Sequence, residues 1–140
     1  MLFRSVDQSY DDIATEVREF LLKSAVTLEQ AGAGQVWIDP GFAFGKSPQD
    51  NVRMLRDVPN LVATGYPVLI SASRKGFLSQ LLGRSDDQHA QGILEATIAF
   101  NTLAANMGAH IVRVHDIAAI AAATTIVHAP PASARDRATG

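Results

Sequence analysis

Charged side chains follow three short apolar segments of this sequence, each at the point where a segment ends. Asp39 closes the first segment, Arg74 and Lys75 follow the second, and Arg113 and His115 close the third. A carboxylate accepts hydrogen bonds from N–H groups, whereas Lys, Arg and His donate to anions. The ends of neighbouring parallel strands meet at one edge, where ligands bind in parallel α/β folds. These residue types therefore predict a site for a polar, anionic ligand.

Side-chain alternation along a strand refines this prediction. Residues two apart share a face, so Arg113 and His115 lie opposite the intervening valine, and we expect them to face the interior near its mouth. Taken alone, Asp39 before Pro-Gly also fits a turn, Lys75 also fits a solvated loop, and His115 also fits a structural histidine. Their convergence at one edge favours the site.

Hydrophobic periodicity predicts the elements that position these residues. Apolar positions at steps of three and four indicate helices, and short runs of β-formers bounded by Pro or Gly indicate strands. A further helix is expected where Ser47 provides a cap and Pro48 a first helical residue, with a break or restart at Pro59. The other expected helices span about 11–31, 92–107 and 117–128, and the expected strands span 35–39, 67–73 and 109–115.

The order of these elements indicates an α/β fold. Strands that alternate with helices predict a parallel sheet with right-handed crossovers. Three strands leave both edges of such a sheet open, and a (β/α)8 barrel needs about 250 residues, whereas this chain has 140. We therefore expect part of a barrel, with residues 1–129 as a partial domain and residues 130–140 as a disordered tail.

Composition excludes several function classes. The chain has 12 Lys and Arg against 14 Asp and Glu, which is not the basic balance of a nucleic-acid binder. It has no cysteine, so it has no disulfide or thiolate site. The start lacks a signal-peptide core, and the apolar stretch 117–127 is shorter than the about 20 residues that cross a bilayer. We expect a cytoplasmic protein with no nucleic-acid or membrane partner, and no metal site in this segment.

The loop after Asp39 imitates a phosphate-binding P-loop. In PGFAFGKS, only three residues separate Gly41 from Gly45-Lys46, whereas the P-loop motif has four. Pro40, one position earlier, has no amide hydrogen to donate. The spacing therefore disfavours a nucleoside triphosphatase.

Taken together, three pieces of the chain resemble dihydropteroate synthase. They are Asp39–Lys46 (DPGFAFGK), Ser73–Lys75 (SRK) with Phe77, and Arg113–Asp116 (RVHD), in the order and spacing of that family. The resemblance covers residues 10–129. It implies the C-terminal portion of a TIM barrel, from the fifth helix through strands six, seven and eight to the eighth helix.

This resemblance implies a reaction in which 4-aminobenzoate displaces diphosphate from (7,8-dihydropterin-6-yl)methyl diphosphate, giving 7,8-dihydropteroate. Lys75, Arg113 and His115 would be the catalytic residues. The implied binding residues are Asp39 and Lys75 for the pterin, Phe44, Lys46 and Arg74 on the aminobenzoate side, and Arg113 and His115 for the diphosphate. The resemblance also implies Mg²⁺ held outside this segment, a homodimer of the full-length protein, and a target of sulfonamides.

Three positions depart from the family pattern. Members commonly have Gly where this chain has Ala43 and Ser71, and Ser where it has Gly76. If Ser71 faces inward, its hydroxymethyl group would narrow the pterin slot. At Gly76, only backbone amides could contact the aminobenzoate carboxylate.

Two other functions stay open. One is a non-catalytic pterin-binding or scaffold homologue that assembles by pairing its sheet edges, and the other is a relative of pterin-dependent methyltransferases. The SRK and RVHD pieces favour the synthase. Because over half of the barrel's strands would be absent, we expect the isolated chain to have no measurable synthase activity.

Overall fold

Helices alternate with short parallel strands in the computed structural model, which describes residues 9–85 and 89–129. The α/β fold class predicted from the sequence is confirmed. In chain order the elements are α1 (Ile13–Gln30), α2 (Pro48–Arg56), α3 (Val58–Val62), β1 (Leu69–Ile70), α4 (Gly76–Leu81), α5 (Ile93–Asn106), β2 (Ile111–Val112) and α6 (Ile117–Val127).

The sheet is centred on β1. It pairs with β2 in parallel, with Leu69 opposite Ile111 and Ile70 opposite Val112. On the other side of β1, Ile38 forms a single parallel bridge with Val68. Three chain segments thus run in the same direction, and their carboxyl ends lie at one edge.

The strands are shorter than predicted. The segment 35–39 contributes only the bridge at Ile38, 67–73 contains β1, and 109–115 contains β2. Strand length is set by hydrogen bonds to neighbouring strands, and within the described residues each outer segment pairs with the β1 segment alone. The amide of Ile38 donates to Pro67 O at 2.9 Å, and that of Arg113 donates to Ile70 O at 2.8 Å.

Two helices, α1 and α2, begin at residues whose side chains cap them. Asp12 caps α1, and the carboxylate of Glu16 accepts hydrogen bonds from the amides of Asp11 and Asp12 at 2.9 and 3.1 Å. Ser47 caps α2 by accepting from the Asp50 amide at 3.0 Å, with Pro48 as the first helical residue. The predicted interruption near Pro59 is confirmed, because a new helix starts there as α3.

Two helical details differ from the sequence prediction. The short helix α4 was not predicted, because it follows Lys75 directly and its apolar run is too short to show a period. The helical spacing of apolar residues predicts one buried face for each helix, but Phe20, Leu28 and Leu103 of that pattern are 68%, 51% and 42% exposed. In α5 the inward positions are filled instead by Thr97 and Asn101 beside Phe100.

Three aromatic rings form the centre of the core beneath the sheet edge. Phe42, Phe77 and Phe100 contact one another, with ring centroids 5.0 to 6.4 Å apart. Phe42 lies in the loop after Asp39, Phe77 in α4 and Phe100 in α5. This cluster joins the loops that follow the first and second strand segments, so it supports the edge where the charged residues lie.

The last described residue is Ala129, where we expect the partial domain to end and a tail to begin. Residues 130–140, the expected tail, lie outside the described residues. The partial domain 1–129 stays a prediction.

Candidate active site

The ends of the second and third strand segments are connected by side-chain contacts that follow the register of the sheet. Leu69 pairs with Ile111, so residues opposite each other in the sheet differ by 42 in number. The side chains that contact each other beyond the ends of the two strands differ by the same 42 positions. Arg113 Nη1 donates to Ser71 Oγ at 3.3 Å. Further contacts at this offset join the loops that contain Lys75 and His115, so the parallel alignment continues into the site.

Lys75 lies at the N-terminal cap position of α4, and its ammonium is 4.3 Å from the centroid of the Phe44 ring. This distance is typical of a cation–π contact. Burial lowers the pKa of Lys75; the negative charge of Asp39 opposes that shift, and the positive charge of Arg113 adds to it. The structure therefore brings both Asp39 and Arg113 within electrostatic range of Lys75.

Asp39 is exposed and is oriented by its own turn. Its Oδ1 accepts from the amide of Gly41 at 2.8 Å, a local bond of the kind that Asp makes two residues ahead. Among the described residues, Oδ2 accepts no hydrogen bond. The turn thus fixes the carboxylate and leaves one oxygen available for a ligand's N–H groups.

The loop 41–47 is held from within by two side chains. Asn51 is fully buried: its Oδ1 accepts from the Ala43 amide at 2.7 Å, and its Nδ2 donates to Ser47 O at 2.8 Å. Lys46 Nζ donates to the carbonyls of Gly41 and Phe44 at 2.8 and 3.0 Å. Burial lowers the pKa of Lys46.

This loop determines what faces the site. Phe44 is 68% exposed, whereas the ammonium of Lys46 is used in closing the loop. Ala43 has φ +78°, a left-handed conformation that favours glycine. The Gly-to-Ala departure at Ala43 therefore falls on a residue whose backbone conformation glycine would adopt without strain.

Arg74 is turned towards Asp116. Its Nε and Nη2 donate to the two carboxylate oxygens at 2.9 and 2.5 Å, a bidentate pair. The bond to Arg74 lowers the pKa of Asp116, and the same bond raises the pKa of Arg74. The Arg74 amide donates to buried Thr97 Oγ1 at 3.1 Å, which fixes its left-handed backbone at φ +53°. Arg74 thus connects two strand ends, and its charge is already paired.

His115 is joined to buried Ser73 by two contacts. The side-chain atoms Nδ1 and Oγ are 2.8 Å apart, and the His115 amide donates to the same Oγ at 3.1 Å. His115 itself is exposed. The side of the imidazole away from Ser73 therefore faces outward.

Sequence reasoning missed the residues that support the site. Asn51, Ser73 and Asp116 were not assigned supporting roles, although each has a signal in the sequence. Asn51 is a poor helix former inside a predicted helix, and Ser73 and Asp116 are neighbours of predicted site residues. Their partners lie 8 to 42 positions away, which a single sequence does not reveal.

Comparison with known proteins identifies the family. The family model described as "Pterin binding enzyme" matches residues 3–115, most of the chain. This chain belongs to the pterin binding enzyme family. The resemblance to dihydropteroate synthase found in the sequence is therefore confirmed.

Individual relatives agree with this membership in the pterin binding enzymes. Dihydropteroate synthase of Neisseria meningitidis serogroup C is 40% identical over 119 residues, covering 83% of this chain and 41% of its own length. The enzyme of Mycobacterium leprae is 42% identical over 125 residues, covering 86% and 44%. The structure of Xanthomonas albilineans dihydropteroate synthase in complex with 7,8-dihydropteroate has a TM-score of 0.82 at 39% identity, covering 91% of this chain and 50% of that one. The chain thus spans about half the length of the family members it matches.

The described residues of this family member contain neither a membrane-spanning helix nor a cluster of metal ligands. None of the described helices is long and apolar enough to span a membrane. Within the same residues, no group of three or more His, Cys, Asp or Glu could hold a metal ion.

Proposed function

We propose that this chain forms the pterin- and diphosphate-binding part of a dihydropteroate synthase. One observation carries the proposal: charged groups from all three strand ends meet at one edge of the sheet. There the Lys75 ammonium lies within electrostatic range of the Asp39 carboxylate and of the Arg113 guanidinium. The relatives support it, because solved dihydropteroate synthases similar to this chain contain 4-aminobenzoic acid and 7,8-dihydropteroate. Neither the scaffold homologue nor the methyltransferase relative has an observation of this kind in its favour.

The proposed place of the chain in the barrel is its C-terminal portion. Three parallel segments flanked by helices match strands six to eight, with α1 as the fifth helix and α6 as the eighth. The chain covers 46 to 50% of the Xanthomonas enzyme chains, which supports a share of about this size.

At the pterin end, Asp39 and Lys75 bind opposite kinds of groups. The available Oδ2 of Asp39 accepts from the amino and ring N–H groups of the pterin. Lys75 donates to the pterin carbonyl and ring nitrogen. Its contact with the Phe44 ring holds the ammonium near the edge, so that less side-chain freedom is lost on binding.

At the diphosphate end, Arg113 and His115 stabilise the leaving group. The C–O bond between the pterin methylene and the diphosphate breaks, its electron pair goes to the diphosphate oxygen, and the amine of 4-aminobenzoate forms the new C–N bond and loses a proton. Negative charge therefore grows on the diphosphate, where preorganised donors lower the barrier most. Arg113 is oriented for this by Ser71.

On the aminobenzoate side, Phe44 offers an exposed ring and Gly76 a backbone amide at the start of α4. Lys46 and Arg74 act indirectly in this proposal, because Lys46 closes the loop behind Phe44 and Arg74 is paired with Asp116. Sulfonamides, which imitate 4-aminobenzoate, would occupy the same surface.

The resemblance implies Mg²⁺ whose ligands lie outside this segment. The described residues contain no cluster of ligands that would hold it. In the complete protein its ligands would come from the N-terminal half of the barrel.

For partners, we propose small-molecule substrates and a homodimer of the full-length protein. Helix α6 has no charged residue, and Ile117 and Ile126 are 71% and 77% exposed, which fits a face covered by another subunit. The absence of nucleic-acid partners and the cytoplasmic location stay predictions.

Calorimetry on a completed barrel tests the assigned roles. The barrel is made by joining the N-terminal part of the Xanthomonas enzyme to this chain, and is titrated with 6-hydroxymethyl-7,8-dihydropterin and with inorganic diphosphate. Lys75→Ala should weaken pterin binding, and Arg113→Ala should weaken diphosphate binding, each by about tenfold or more. Lys23→Ala, at an exposed position of α1, is the control. Equal effects of both site variants on the free pterin would refute the assignment.

A further inference from the structure

The tautomer of His115 is determined by how its ring meets a buried hydroxyl. A neutral imidazole carries one N–H, so one ring nitrogen donates and the other accepts. Which nitrogen faces a substrate as a donor depends on the hydrogen bond that the other nitrogen makes.

Ser73 provides that hydrogen bond. Its Oγ is 2.8 Å from Nδ1 of His115 and accepts from the backbone amide of the same residue at 3.1 Å. Ser73 is only 6% exposed, and among the described residues its hydroxyl has no other partner. A buried hydroxyl donates where an acceptor is present, because leaving it unpaired costs free energy. The hydroxyl hydrogen therefore points at Nδ1, which must be the unprotonated nitrogen of a neutral ring.

The sheet itself keeps this contact in place. Residues 73 and 115 differ by 42 positions, the offset of Leu69 and Ile111 in the sheet. On one side Arg113 bonds to Ser71, and on the other Arg74 bonds to Asp116, at the same offset. These two flanking contacts and the sheet register keep Ser73 opposite the backbone of His115.

We propose that Ser73 is a positioning residue that holds His115 with its Nε2–H facing outward, as the donor that meets the diphosphate of the substrate. The role of that donor rests on the proposed function; the tautomer does not. With Nδ1 occupied by Ser73, Nε2 lies on the far side of the ring, where His115 is exposed. Ser73 acts through His115 and does not itself touch the diphosphate.

Nitrogen NMR of the 140-residue chain tests the tautomer directly. At about pH 8.5, Nδ1 of His115 should resonate as an unprotonated nitrogen and Nε2 as a protonated one. The chain contains two references: His110 Nδ1 accepts from the Val68 amide at 3.1 Å, and His128 Nδ1 lies 3.0 Å from the Thr124 carbonyl, to which only an N–H can donate. His115 should match His110 and differ from His128.

Ser73→Ala should shift the Nδ1 resonance of His115 towards that of a nitrogen without a hydrogen bond and leave His110 and His128 unchanged. Ser79→Ala removes a different buried serine hydroxyl and is the matched control for a general loosening of the fold. A protonated Nδ1 in the wild-type chain, or an Nδ1 resonance unmoved by Ser73→Ala, would overturn the inference.

Diphosphate titrations then show whether the serine acts through the histidine. Ser73→Ala should weaken inorganic diphosphate binding by about fivefold when His115 is present and by less than about twofold in a His115→Gln background, a coupling typical of residues in contact. Equal losses in both backgrounds would contradict a positioning role. These titrations use the completed barrel described above. If its unsubstituted form binds no diphosphate, the proposed function fails while the NMR result still decides the tautomer.

Discussion

Replacement of Asn51 by Ala should reveal how strongly the loop 41–47 is held. Asn51 is fully buried in α2 and makes two good hydrogen bonds, to the Ala43 amide at 2.7 Å and to Ser47 O at 2.8 Å, and a longer one to Lys46 O at 3.4 Å. Each good bond contributes about 1 kcal/mol, and a buried amide left without an acceptor costs about 1–3 kcal/mol. We expect the free energy of unfolding to fall by about 3–5 kcal/mol.

Urea denaturation of the 140-residue chain measures this change, with Asn60→Ala as the matched control. Asn60 is exposed and makes one side-chain bond, to Asp57 Oδ1 at 2.6 Å, so its loss should cost less than about 1 kcal/mol. Because the loop carries Phe44, Asn51→Ala should also speed chymotryptic cleavage there at urea concentrations well below the unfolding transition. Equal destabilisation by the two variants, or unchanged cleavage, would refute the assignment of Asn51 as the residue that holds the loop.

Two further predictions use the backbone and the charges of the site. Ala43→Gly should raise the free energy of unfolding by about 0.5–1 kcal/mol, because relief of the left-handed conformation outweighs the backbone entropy that glycine loses on folding. The control Ala14→Gly, inside α1, should lower the free energy of unfolding. A lower free energy of unfolding for Ala43→Gly in the same urea assay would contradict this reasoning. The hydrogen bond from Arg74 lowers the pKa of Asp116 in the folded chain below its ordinary value of 3.8. Near pH 3.8 the unfolded chain therefore binds more protons at Asp116 than the folded chain does. The free energy of unfolding should fall as the pH drops from 3.8 through the folded pKa. Asp116→Asn should flatten that part of the stability profile, and an unchanged acid slope would show that the pair does not contribute.

The helices could be predicted from the sequence because their signals are local. Ser47 and Pro48 mark the start of α2, and Pro59 marks the break before α3, all within one turn of the boundary that they determine. Strand lengths could not be predicted, because they depend on which segments lie alongside. The helix α4 was missed because six residues are too few to display a helical period.

The candidate site also has features that the sequence predicts and features that it does not. That charged residues follow three strands is visible in the sequence, and parallel topology brings them to one edge. The partners of Arg74 and His115 were not predictable, since they depend on a register of 42 positions that no local pattern encodes. That Lys46 borders the aminobenzoate side stays a prediction, and its bonds to two backbone carbonyls of its own loop could not be predicted from the sequence.

The most direct test of the central claim is dihydropteroate formation by the barrel that joins the N-terminal part of the Xanthomonas enzyme to this chain. We expect this chimera to condense (7,8-dihydropterin-6-yl)methyl diphosphate with 4-aminobenzoate, and Arg113→Ala to lower its rate by about a hundredfold or more. We expect no measurable rate from the isolated chain. A folded chimera that binds neither substrate and forms no dihydropteroate would contradict it.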